Sequence, residues 1–312
     1  MGAQRVIDLI RRNIGDLFFL FLVPCFVAVL PWSLGFPLLR FLARHDKSHP
    51  DPVEQAYSAA KRYCEPADAE DWKWRFRLLR LLERVDAWLI LLRPASWWRR
   101  QIDQVGEWPL ESGPCVFLTN HWGGGQWIWR PLSEHGFKAS FIARRAEVGD
   151  LGAGRIALWF ARVREFGMRR TGGLGPIFTG GSGAKVVKAL QCGESVVGML
   201  DLPAQPHQTS ALRPLLGGQV HFPVGLARLA VFNAVPIVLY SCAFDVATGR
   251  RSLRVETLPI DSDVETIATR YMEHLDRCLQ QDSAFWQLWS LAPLMFTDDV
   301  SAIEPGNSVS EK

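Results

Sequence analysis

The chain has 312 residues, enough for one large α/β domain or two modest ones, so a sizeable core can form. Apolar residues make up 48% at a mean hydropathy of +0.03, and 13 residues are Trp, a side chain suited to interfaces with one wet edge. A net charge of +3 does not single out nucleic acid, and six scattered cysteines without a C-x-x-C pair argue against a zinc site and for reduced thiols.

In chain order, the first feature is an uncharged run from Leu17 to Leu39, preceded by Arg11, Arg12 and Asp16 and followed by Arg40 and Arg44. About 20 apolar residues suffice to span a bilayer. Pro24, Pro31 and Pro37 interrupt this run, and each removes a backbone donor from a helix. Residues 1–45 are therefore expected to form a membrane anchor or re-entrant segment, with a buried apolar hairpin as the alternative. Residues 46–109 read as a helical, basic amphipathic region. Within it Leu78, Leu81, Leu82 and Val85 recur at helical spacing, while Lys73, Arg77, Arg80 and Arg84 fall mainly on another face. Trp97, Trp98, Arg99 and Arg100 follow, a pattern that suits an anionic membrane surface or, equally, a helix packed on the body of the fold.

From Gly113 strands and helices alternate. Strands are expected at 115–119, 139–143, 195–200, 235–241 and 253–258, and helices at 126–135, 154–166, 183–191, 223–233 and 264–281. Such alternation predicts an α/β fold with a mixed or largely parallel sheet flanked by helices. The catalytic body is expected over 110–296 and a disordered polar tail over 297–312.

The chemistry concentrates at Thr119-Asn120-His121-Trp122-Gly123-Gly124-Gly125-Gln126, directly after the apolar run Cys115–Leu118. A strand delivering a histidine into a glycine-rich turn holds one imidazole at the mouth of a sheet. An imidazole with an ordinary pKa of about 6.5 can act as a base near neutral pH. Other glycine-rich stretches fit their motifs poorly. Gly180-Gly-Ser-Gly-Ala184 lacks the final glycine of a nucleophile elbow, Lys185 misses the Walker spacing, and Gly152-x-Gly154-x-x-Ala157 follows Asp150 rather than a strand.

Four blocks in order resemble the lysophospholipid acyltransferase superfamily, and within it the late acyltransferases of lipid A synthesis. They are Phe117–His121 with Gln126, Lys185–Asp201, Pro214–Ala230 with Val235–Tyr240, and Phe285–Trp289. The resemblance implies a glycerol-3-phosphate acyltransferase-like body at the bacterial inner membrane, facing the cytoplasm. It implies transfer of an acyl group from acyl carrier protein or coenzyme A to a hydroxyl or amine of a lipid or glycolipid, with no metal or nucleotide cofactor. His121 would be the base and Gln126 would stand where the family's His-x4-Asp/Glu motif has its carboxylate. An amide orients an imidazole but brings no charge, and the corresponding Asp to Asn change in serine proteases costs about 10⁴ in turnover. Glu134 or Asp201 could supply the carboxylate instead; otherwise the acceptor is acidic enough to need little base help, or the chain binds lipid without turnover.

The remaining candidates are substrate-binding. Asn120, Gly123 and Gly124 flank the histidine, and the glycines would let backbone N–H groups approach a thioester oxyanion. Arg144, Arg145, Arg169 and Arg170 could hold substrate phosphates, a solvated surface being the alternative. Asp201 is expected to shape the site rather than carry protons. Trp122, Trp127 and Trp129 line an acyl channel or belong to the core, and His207 and His221 are expected in loops or at the surface.

Overall fold

The computed structural model describes residues 13–45, 50–109, 113–145, 155–204 and 209–297. The uncharged run does not form one helix. A π-helical turn at Phe18–Leu22 leads into α1 (Val23–Val29), Leu30 turns extended ahead of Pro31, and α2 (Trp32–His45) follows. No helix among the described residues is long and apolar enough to cross a membrane. Both α1 and α2 pack on α4, burying Val27, Ala28, Phe36 and Leu39.

Helix α3 (Pro50–Cys64) precedes α4 (Ala69–Leu92), whose N-terminus is capped by Asp68 accepting from the Asp71 N–H at 2.9 Å. The α4 helix does not present a membrane-facing basic side. Its second apolar row, Trp72, Phe76, Leu79 and Ile90, is as buried as the first. Cations interleaved between two apolar rows cannot form a continuous polar face, so they find local partners: Arg75 bonds Asp71 and Asp282. After α5 (Ala95–Gln101), β1 (Ile102–Gly106) joins the main sheet, so the segment 46–109 is continuous with the body that follows.

The remaining elements are β2 (Val116–Thr119), α6 (Trp129–Glu134), β3 (Ala139–Ala143), α7 (Arg155–Arg170), β4 (Gly173–Phe178), α8 (Ser182–Gln191) and β5 (Ser195–Met199). They continue with β6 (Ser210–Leu215), β7 (Gly218–Pro223), α9 (Gly225–Phe232), β8 (Ile237–Phe244), β9 (Arg251–Thr257) and α10 (Val264–Gln281). Seven strands form one sheet in the order β1-β9-β8-β2-β5-β3-β4, while β6 and β7 make a separate hairpin. The strands β8, β2, β5, β3 and β4 run parallel, and β9 turns back antiparallel to β8 with β1 alongside it. The fold is thus α/β, with a mixed, mostly parallel sheet flanked by helices, as the alternation predicted. Every residue of β2 is buried, as expected for a central parallel strand with both faces covered.

Candidate active site

Strands β2 and β5 are neighbours, and their register pairs Val116 with Val196 and Thr119 with Met199. Carried two residues past the ends of both strands, that register brings His121 opposite Asp201. The carboxylate then grips the histidine twice. Oδ2 accepts from the His121 backbone N–H at 2.7 Å, and Oδ1 lies 2.9 Å from ring Nδ1. With Nδ1 carrying its proton toward the carboxylate, Nε2 keeps its lone pair. No hydrogen bond reaches Nε2 from the described residues, and the side chain is 27% exposed, against 0% for Asp201.

Two further side chains fix the carboxylate. The Trp286 indole N–H donates to Asp201 Oδ2 at 2.8 Å, and the Tyr271 hydroxyl stands 3.4 Å from Oδ1. Tyr271 also accepts from the backbone N–H groups of Leu200 and Asp201 at 3.0 and 2.9 Å, and donates to Thr119 O at 2.8 Å. It therefore ties the end of β2 to the end of β5. Burial, reinforced by the Asp201 charge, holds the Tyr271 phenol protonated, well above its usual range. Burial alone would depress His121, yet the Asp201 charge and hydrogen bond outweigh it and raise the imidazole above 6.5. An imidazole oriented by a buried carboxylate, with its second nitrogen free of protein partners, is the arrangement of a general base.

Gln126 is not part of this pair. Its amide Nε2 donates to Glu83 O at 3.1 Å, and its Oε1 is buried with no hydrogen-bond partner among the described residues. A short 3-10 turn at Gly125–Ile128 directs the side chain toward α4 rather than back along β2. Glu134 is also excluded as the partner, since it pairs with Arg99 at 2.9 Å. Gly123 and Gly124 do not offer their N–H groups to an oxyanion: they donate to Phe285 O at 2.9 Å and Cys242 O at 2.8 Å. Gly123 is required for another reason. Its φ is +67°, and a Cβ would stand 2.2 Å from Cys242 O.

Asn120 is 1% exposed and turns its amide toward Cys278 of α10, away from the histidine. Arg144 and Arg145 are exposed at the C-terminal end of β3, on the sheet edge that carries His121 and Asp201, and Arg145 stacks over Phe178. Arg169 and Arg170 close α7 just before β4 begins, which puts them at the opposite edge of the sheet. Arg169 is held there by Glu165 and Leu174 O. Trp122, Trp127 and Trp129 are buried core residues, His221 is half-buried in β7, and His207 lies outside the described residues.

A cavity of about 380 Å³ lies near the dyad, with neither His121 nor Asp201 in its lining. Glu83 and Arg164 in its wall act on the His121 charge in opposite directions, and its residue Gln287 donates its N–H to His121 O at 2.9 Å. Its lining is mixed: Arg80, Arg84 and Arg164 stand with Glu83, and Phe76 and Phe160, one turn from an arginine on each helix, stand with Leu20. Nothing in the sequence spacing marked Arg80, Arg84 or Arg164 as site residues, because α4 and α7 meet only in the fold. A molecule with an anionic part and a hydrocarbon part would match such a mixed lining. No family model matches this chain, and no curated protein matches it.

Proposed function

We propose that this chain is an acyltransferase in which His121, held by Asp201, moves a fatty acyl group from a thioester to a hydroxyl or amine of a lipid or glycolipid. Acyl carrier protein or coenzyme A would carry the donor acyl group, and lipid A-type acceptors at the bacterial inner membrane are the favoured class. The observation that carries this reading is the two-point His121–Asp201 pair at the strand ends, near a cavity whose lining mixes arginines with apolar side chains.

In the proposed reaction His121 Nε2 takes the proton of the acceptor hydroxyl as its oxygen bonds to the thioester carbonyl carbon. The carbonyl oxygen carries the negative charge of the tetrahedral intermediate. Its collapse breaks the carbon–sulfur bond, and the imidazolium returns the proton to the departing sulfur, leaving an ester and a free thiol. The Asp201 carboxylate stabilises the imidazolium between these two transfers. The arginines of the cavity lining, Arg80, Arg84 and Arg164, would take an anionic group of either substrate. The case for a lipid-binding homologue without turnover rested on the missing charge at Gln126, and Asp201 supplies that charge from β5.

Mass spectrometry of lipids from cells lacking the protein, rescued with wild type, His121→Ala or Asp201→Asn, tests the reading. One lipid class should gain an acyl mass with wild type and with neither variant. Equal rescue by His121→Ala would remove the histidine from the chemistry.

A further inference from the structure

Helix α7 has two faces with different work. Its inner face sends Phe160 and Arg164 into the cavity, and Gly167 passes so close to α4 that a Cβ would meet Ile90 Cγ2 at 2.8 Å. Its outer face reads Arg155, Trp159, Arg162, Phe166 and Arg170, spaced by three and four residues and therefore one stripe along the helix. All five are exposed, Trp159 at 61% and Phe166 at 58%. The only acid of this helix, Glu165, is half-buried and paired with Arg169. Beside α7 lies the N-terminal helical run, joined to it by the Phe21–Phe160 ring contact at 6.1 Å. That run exposes Phe18, Leu22, Phe26 and Val29, again at helical spacing.

We infer that the outer stripe of α7, with the adjoining row Phe18, Leu22, Phe26 and Val29, docks flat on an anionic phospholipid surface. Charge selects this partner. Among the described residues no acid pairs with the three arginines of the stripe, so two copies of the face repel one another, whereas an anionic headgroup layer attracts it. Trp and Phe set between arginines suit the boundary between headgroups and acyl chains. A helix of 16 residues is about 24 Å long, which supplies contact length without any span. Because the same helix walls the cavity from its other side, docking would set that cavity one helix thickness from the lipid layer. The inference does not depend on the acyltransfer reading, since it concerns binding alone.

Flotation of the purified full-length chain with vesicles tests it, comparing phosphatidylglycerol–phosphatidylcholine mixtures with pure phosphatidylcholine. The mixed vesicles should bind the protein more tightly, with the preference fading as salt rises. Arg155→Gln with Arg162→Gln should weaken the mixed-vesicle affinity about 25-fold, roughly fivefold per arginine, and remove most of the salt dependence. Trp159→Ala with Phe166→Ala should cost about tenfold or more on both vesicle types. These side chains are exposed, so circular dichroism melts should match wild type. Equal binding of wild type to both vesicle types, or a double arginine variant that floats like wild type, overturns the inference. No vesicle binding at all also overturns it and leaves an acidic protein as the partner of this face.

Discussion

Two buried carboxylates close to the same turn have opposite roles. Asp201 and Asp86 are 0% and 1% exposed, and each bonds a cationic or ionisable partner. Asp86 meets Arg251 at 2.7 Å, and that guanidinium is sealed against Trp127 at 4.5 Å and Phe244 at 5.6 Å. Asp201 meets an imidazole that titrates and has one edge open. A permanent cation in a closed box can only hold structure, because neither partner can reach a ligand. A titratable partner with an open edge can exchange a proton with something outside. The first pair also supports the second: a Cβ on Gly124 would stand 3.6 Å from Asp86 Oδ2 and 3.8 Å from Arg251 Nε. The turn carrying His121 thus rests on the Asp86–Arg251 pair.

Breaking each pair should therefore register in a different measurement. Asp201→Asn should lower kcat about 10³- to 10⁴-fold in an acyl-transfer assay, while urea unfolding moves by only about 1–3 kcal/mol. Asp86→Ala should do the reverse, costing about 3–5 kcal/mol in unfolding free energy by stranding Arg251, with a much smaller loss of rate per folded molecule. Adding Arg251→Met to Asp86→Leu should recover much of that stability. If Asp86→Ala lowered the rate as much as Asp201→Asn at equal folded fraction, the division of labour would fail.

Gln126→Glu sharpens the comparison. It places a charge where the amide now bonds Glu83 O, not His121, so it should bring no gain in rate and a stability loss of about 1–3 kcal/mol. A rate increase would return position 126 to the dyad. The smallest effect is the pH profile. Because the Asp201 charge outweighs burial and raises His121, kcat/KM should fall about tenfold per pH unit below a value above 6.5. In Asp201→Asn burial becomes the largest influence on His121, so this limb should move to lower pH. The linked stability has the matching sign: it is fully present below pH 6.5 and is lost as pH rises through the raised value.

Much of this was legible along the chain, and the failures have physical causes. Strand β3 and helix α10 fall where periodicity put them, because each has a clean apolar pattern. Strand β1 escaped notice because four of its five residues are exposed, and β4 because Gly173, Gly175 and Pro176 hide its alternation. The hairpin β6–β7 was masked by Pro214 and Pro223. His121 stood out from its own neighbours, whereas Asp201 entered only as one of two alternative carboxylates beside Glu134. Spacing along one strand pointed to Gln126, and Asp201 lies 80 residues away, linked by sheet register alone. Tyr271 and Trp286 reach the carboxylate from still farther along the chain, Trp286 through the block Phe285–Trp289 that gave no hint of a hydrogen bond. The expected charge of α4 was real, but its arginines serve the interior, and the exposed basic and aromatic stripe belongs to α7.

The bond from Trp286 to Asp201 has one more consequence. An indole N–H proton resonates according to the charge on its acceptor, and this one shares its carboxylate with the His121 imidazole. Nitrogen-15 labelling of the tryptophans would therefore turn Trp286 into an internal voltmeter for the pair, assigned by the peak that vanishes in Trp286→Phe. Its chemical shift would follow the protonation of His121 directly, in the resting protein and with no substrate present.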